Sequence, residues 1–444
     1  METPAIPMPK DERERHILGK LSLIRDQLLL LKRDRTNYIR SQDVMVLYEQ
    51  VVEQVKELNQ IRKHEEDKRE NRLDRVLESC FQLLSLFFMT IGRTTEAPAA
   101  YALTSTIKRL VDHLTEAGLF SAKDLDSISN TLGNLYAILK NPNSAHSPYM
   151  VELLANRVEL CKTSLANLRK RLQQWDEPLP AIHEKLISIL RSMSLASTKA
   201  KFSTTEVQKL QAQLQEIEAS RVGGKFVNSE GKVPSGSDEL SDLLSRCLRW
   251  SDIVLERQGG IPENFRAKYE VLIGIRNDLE KLSLTQAWSL RETDLYDFQR
   301  ELDKIDESRV DGNWLDDEGQ PAELYVQRTL LYLIRRSYGY IYYLMISSEP
   351  VSEALLPIYN QLQTLKRCLL EVKNSGGVST VRELYPYSMK LHSIDNMRVD
   401  GKFMVGNDIP EGQGSVSELL AECFDLSYEL RVAVEEQPAV TADA

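Results

Sequence analysis

The stretch "LSLIRDQLLLL", residues 21–31, decides how this chain is read, because its pattern returns. Ile24-Arg25 is followed by Leu28 and Leu31, the spacing of one apolar face of an α-helix. The same grammar recurs as Ile107-Lys108 with Val111 and Leu114, as Ile275-Arg276 with Leu279 and Leu282, and as Leu365-Lys366 with Leu369 and Val372. A weaker copy is Leu190-Arg191 in "KLISILRSMSL". The basic residues stand at 25, 108, 191, 276 and 366, in steps of 83, 83, 85 and 90. A fixed period of this kind is the mark of a repeat architecture.

Each copy has a second landmark 15 to 18 residues later, an acid followed by an apolar residue: Asp43-Val44, Asp124-Leu125, Glu206-Val207, Asp294-Leu295 and Glu383-Leu384. Ser121 with Asp124, Ser203 with Glu206 and Thr380 with Glu383 read as capping boxes, in which hydroxyl and carboxylate each satisfy an orphan amide at a helix start. A third helix follows, as in "LESCFQLLSLFF" (77–88), "LSRCLRWSDIVL" (244–255) and "LAECFDLSYEL" (420–430). The unit is therefore three helices, B, C and A in chain order. B is expected near 13, 97, 177, 262 and 350, C near 42, 121, 203, 291 and 380, and A near 71, 147, 238, 321 and 415. Pro-containing stretches ("EAPAA", "DEPLP", "GIPEN", "SEPVS") precede helix B in the last four units and exclude one long coiled coil.

The expected fold is all-α, a helical repeat array resembling an α-solenoid or an elongated bundle, of about five three-helix units of 83–90 residues. The divisions are 13–92, 93–175, 176–258, 259–347 and 348–435, with disordered ends at 1–12 and 436–444. No such unit buries its apolar stripe alone, so neighbours must stack. The mixed-charge run "NQIRKHEEDKRENRLDR" (59–75) reads as a solvated helical extension joining C to A.

A second motif recurs where helix C gives way to A: "SRVGGKF" (220–226), "SRVDGNW" (308–314) and "MRVDGKF" (397–403). Arg221, Arg309 and Arg398 suit a helix C-terminus. Gly224, Gly312 and Gly401 stand where the chain needs a left-handed residue. Phe226, Trp314 and Phe403 can fold back onto the helices. Two readings stay open: a repeated brace at the helix exit, or a row of loops on one edge that binds a partner. Asp311 and Asp400 become Gly223 in the first loop, which weakens any idea of a required acidic ligand.

Other candidates are weaker. The basic ladder Arg25, Lys108, Arg191, Arg276 and Lys366 either lines an anion-attracting groove or pairs with local acids. Tyr325, Tyr332, Tyr338, Tyr340, Tyr342 and Tyr343 crowd one helix, as packing or as a docking face. The six histidines show no metal-ligand spacing. "GGKF" at 223–226 lacks the upstream glycine and the following hydroxyl of a phosphate loop, and no HExxH, GxSxG or GxGxxG occurs. No catalytic, cofactor or metal residue is expected.

At 42% hydrophobic and 27% charged the 444-residue chain reads as folded, and its net charge of −10 disfavours general nucleic-acid binding, though a local basic patch would escape that. Five cysteines without a CxxC read as reduced, buried thiols of an intracellular protein. "METPAIPMPKDERER" is no signal peptide, "LLSLFFM" (83–89) is too short to cross a bilayer, and Arg335 and Arg336 interrupt the other greasy run.

The five units with their "SRVDGNW" and "MRVDGKF" loops resemble, over nearly the whole chain, a fungal family of all-helical proteins known as a domain of unknown function. The resemblance implies a non-membrane protein of cytoplasm and nucleus, and it carries over no activity, catalytic residue or cofactor. The function expected is a non-enzymatic scaffold or adaptor holding a protein partner by its edge loops or a groove. The alternative is a binding module for an anionic small ligand or phosphopeptide.

Overall fold

A computed structural model describes residues 7–34, 39–62, 71–93, 96–139, 147–228, 230–285, 293–347 and 351–435. Residues 63–70 of the 59–75 charge run, residues 1–6 of the expected 1–12 end and residues 436–444 lie outside these residues. The described residues are all-α and contain no β-strand, only isolated two-residue bridges. Helix B appears as α1 (Glu12–Arg33), α4 (Ala97–Ala117), α7 (Leu179–Ser197), α10 (Glu263–Thr285) and α13 (Leu356–Asn374). Helix C appears as α2 (Ser41–Ile61), α5 (Ala122–Leu139), α8 (Thr204–Ala219), α11 (Thr293–Glu307) and α14 (Tyr385–Asp395). Helix A appears as α3 (Arg72–Thr90), α6 (Pro148–Gln173), α9 (Ser237–Arg257), α12 (Leu324–Ile346) and α15 (Gln413–Glu435). The largest displacement is α13, which starts at Leu356 because residues 351–355 form an irregular entry.

Local chemistry sets the starts. Ser121 and Asp124 form the full reciprocal box, at 2.8 and 3.2 Å. Thr380 and Glu383 form theirs too, but it opens a 3-10 turn, Val381–Leu384, that runs into α14. At Ser203 only half the box exists: Glu206 N–H donates to the hydroxyl, while the Glu206 carboxylate goes to Lys199 at 2.7 Å. Asn71 and Asp74 add a box at α3.

The chain divides into two compact units. Unit 1 takes in residues 102–285 and 297–345, and unit 2 residues 8–101, 293–296 and 346–435. In unit 1, α7 packs on α8 and α9, and α5 on α6; in unit 2, α1 packs on α2 and α3, and α13 on α14 and α15. Unit 2 thus gathers distant sequence. Glu353 N–H donates to the Thr90 carbonyl at 2.7 Å, and Arg93 pairs with Glu411 at 2.9 Å. Gly92 is required there: its φ is +86°, and a Cβ would sit 2.7 Å from the Ser352 nitrogen. Unlike the amphipathic helices around it, α3 is buried on every side from Ser79 to Thr90. Buried ion pairs from Arg62 to Glu14 and Asp74, both 2.6 Å, tie the end of α2 to α1 and α3. No helix of the described residues is long and apolar enough to cross a membrane.

Candidate functional site

The recurring Arg-Val-x-Gly stretches are miniature hairpins. Val222 pairs with Lys225, Val310 with Asn313 and Val399 with Lys402 in two-residue bridges. Both central residues of each are left-handed: Gly223 and Gly224 at φ 59° and 80°, Asp311 and Gly312 at 49° and 79°, Asp400 and Gly401 at 50° and 76°. That is the type I′ turn, for which Asp-Gly and Gly-Gly are preferred sequences. The glycines therefore close a tight turn just beyond the helix and do not cap the helix itself. The Asp and Gly223 alternation follows, because the position asks for a positive φ and nothing else.

The other motif residues brace these turns. Phe226, Trp314 and Phe403 are buried. The backbone of Trp314 is clasped by the Gln327 side chain (3.1 and 3.0 Å) and that of Phe403 by Gln413 (2.9 and 2.7 Å). Ser237 takes this place at Phe226. Each arginine pairs with the acid three residues before it: Arg221 with Glu218, Arg309 with Asp306 at 2.7 Å, Arg398 with Asp395. Arg309 adds Glu116 at 2.6 Å and lies over the Trp314 ring. The clasping glutamines were not visible as partners in the sequence, since they lie 10 to 13 residues downstream on helix A.

The ladder is divided among local partners. Arg25 pairs with Asp26 (2.9 Å), Lys108 with Asp112 (2.7 Å), Arg191 with Asp124 (2.5 Å) and Lys366 with Glu422 (2.6 Å). Arg276 is buried and donates to the Thr198 carbonyl at 3.3 Å. Burial alone would raise the Asp124 carboxyl, but Arg191 and Ser121 hold it below the usual range.

Unit 1 contains a cavity of 670 Å³, the size of a small-molecule site. One face of α12 forms its floor. Gln327, Arg328, Leu331, Tyr332, Arg335 and Tyr342 recur at helical spacing along it. The walls are Leu110, His113 and Leu114 of α4, Ser127 and Ile128 of α5, and Ile187 and Leu190 of α7. On α9, Arg246, Cys247 and Trp250 complete it, with Asn313 of the second hairpin at the edge. Six lining residues are cationic (Lys123, Arg191, Arg246, Arg328, Arg335, Arg336) and two are carboxylates (Glu116, Asp124). An acidic chain thus holds a locally basic, largely apolar hollow. Only Arg191 of the ladder reaches it.

Two of these arginines are electrostatically exposed to the hollow in an unusual way. Arg328 and Arg335 are half-buried, and among the described residues no carboxylate lies within ion-pair distance of either. Burial, and then repulsion from Arg246, pulls the Arg328 guanidinium below its ordinary value; it lies 5.2 Å over the Trp250 ring. Burial pushes Arg335 down to about 10, against the more distant pull of Glu116, and its Nε has no hydrogen-bond partner. His113 is buried, with Nε2 3.1 Å from Asp306 and Nδ1 unpartnered. Burial lifts the Cys247 thiol to about 11, so it is an unreactive wall residue. The tyrosines of α12 divide: Tyr325 stacks on Trp250, Tyr338 donates to Asp303 at 2.6 Å inside the core, and Tyr332 and Tyr342 face the cavity.

A family model described as a protein of unknown function, DUF2408, matches residues 172–292 and 349–442. The Cu(2+) suppressing and bleomycin sensitive protein 1 of Saccharomyces cerevisiae is 36% identical over 514 aligned residues, covering 97% of this chain and 91% of that protein. A CUB1 family protein of Schizosaccharomyces pombe is 36% identical over 438 residues, covering 96% and 94%. No solved structure matches the chain.

Proposed function

The chain belongs to the DUF2408 family of proteins of unknown function, and from its geometry we propose that it is a non-enzymatic helical binding module, an adaptor that takes hold of an anionic group in the unit 1 cavity. The observation that carries this reading is the pair Arg328 and Arg335, two half-buried guanidiniums with no acid at ion-pair distance among the described residues. A charge held this way raises the free energy of the empty protein, and an anion in the cavity removes that cost. Guanidinium forks suit phosphate and carboxylate, and Arg328 is already positioned by the Trp250 ring. A protein partner would then be held by an anionic segment in this hollow. The hairpin loops are the weaker candidate, because their aromatics are buried and their arginines paired. The titratable lining supports binding over catalysis, since most of it is guanidinium, which does not exchange protons near neutrality. Action in cytoplasm and nucleus is part of the proposal, and a fluorescent fusion tests it.

The direct test is calorimetric titration of the full chain with phenyl phosphate. Binding should weaken steeply as salt rises, and should be lost in the Arg328→Gln/Arg335→Gln double variant. Absence of binding, or equal binding by the double variant, refutes the assignment.

A further inference from the structure

Arg328 and Arg335 stand seven residues apart on one face of α12, two helical turns. At a rise of ~1.5 Å per residue their Cα atoms are about 10 Å apart along the axis. Each has its own setting. Arg328 shares its end of the cavity with Arg246 and Trp250, whereas Arg335 feels Glu116 and Asp306 at longer range. Between them the floor is Leu331 and Tyr332, and the opposing walls include Ile128, Ile187 and Leu190. A single small anion would satisfy one guanidinium and leave the other without a counter-charge.

We infer that the site is built for an elongated ligand with two anionic groups about 10 Å apart on an apolar connection, a spacing taken from the helical rise; this rests on the anion-binding reading above. One anionic group sits at Arg328 and the other at Arg335, with the connection over Leu331 and Tyr332. Two tethered contacts reinforce each other because the second forms within one molecule. The shared chemistry, a bis-phosphate or bis-phosphorylated segment, has two sources: a small metabolite, or an extended peptide. In polyproline II conformation, with three residues per turn and a rise of ~3.1 Å, phosphoserines three residues apart share one face and span about 9 Å.

The experiment titrates the full chain with alkyl monophosphonate and with α,ω-alkylene bisphosphonates of increasing length. A bisphosphonate whose groups reach about 10 Å should bind at least about tenfold tighter than the monophosphonate, with an optimum in length. Arg328→Gln and Arg335→Gln should each reduce it to monophosphonate affinity, and Arg431→Gln, an exposed residue of unit 2, should not. A peptide with phosphoserines three apart is run beside them. If it binds tighter than the best bisphosphonate the ligand is a peptide segment, and if the bisphosphonate wins it is a small molecule; both support the spacing. Equal binding of mono- and bisphosphonates, or affinity that only climbs with chain length, overturns the two-point inference and leaves the anion site standing. No binding of any of these compounds overturns both.

Discussion

Replacing Arg335 by methionine should stabilise the protein. A fall of the Arg335 guanidinium to about 10 means that its charged form is disfavoured in place by up to about 3 kcal/mol, at about 1.4 kcal/mol per tenfold in proton affinity. The sign is that of a depressed cation. The penalty is complete at neutral pH and would lift only as pH rises from 10 towards the unfolded arginine value. Methionine keeps the aliphatic stem and fills the same space without the charge. That figure already nets the longer-range attraction to Glu116 and Asp306 against burial; water still reaching the half-buried guanidinium screens it, so the expected net gain is about 1–2 kcal/mol. Native-state hydrogen exchange of the α12 amides reads this locally, which matters in a chain of two units. Arg309→Met is the opposing control, because Arg309 pairs with exposed Glu116 and with buried Asp306, and its removal takes one partner from the buried acid, at about 1–3 kcal/mol. If Arg335→Met instead lowers protection by more than about 1 kcal/mol, the guanidinium is making a stabilising contact and the reasoning from unpaired charge fails.

Trp314→Ala should cost about 3–5 kcal/mol, because the ring is fully buried and its indole N–H is bonded to the Ile305 carbonyl; thermal unfolding measures it, and an unchanged melting temperature would mean the loop is not a brace. Gly312→Val should destabilise by more than about 1 kcal/mol at φ 79°, while Gly223→Asp should be nearly neutral, since Asp occupies the same turn position at 311 and 400; equal effects would contradict the type I′ assignment. His183 is held down to about 4 by burial, then by Arg171 and Arg191, so its contribution is full above the ordinary histidine range and is lost as pH falls towards 4. His183→Phe should therefore flatten the acid side of the stability curve, removing up to about 3 kcal/mol of change in urea titrations between pH 6.5 and 4.

Helix placement was legible because it rests on local signals. Proline entries, hydroxyl-acid caps and 3.6-residue periodicity locate most starts within a few residues. Glu206 escaped the cap expectation because a nearby lysine competed for its carboxylate. The hairpins were half legible: the motif and its left-handed glycine are in the sequence, but the clasp from Gln327 and Gln413 depends on where helix A folds back. The cavity was not legible. Its walls come from α4, α5, α7, α9 and α12, more than 200 residues apart at the extremes, so no window of sequence contains it. Charges in register at 25, 108, 191, 276 and 366 stand out, yet each is matched by its own surroundings. The arginines with no acid at ion-pair distance among the described residues, at 328 and 335, stand on one face of α12.

The composition of unit 2 carries a consequence for how the protein is made. Residues 8–101 leave the ribosome ahead of their companions from 346 onward, which arrive only after 244 intervening residues. At roughly 5–20 residues per second that delay is about 12–50 s. Throughout it the C-terminal end of α3 lacks Glu353, whose N–H meets the Thr90 carbonyl in the finished unit. Unit 1 can complete its core meanwhile. The contacts that join residues 8–101 to residues 346 onward are thus the last of unit 2 to form during synthesis.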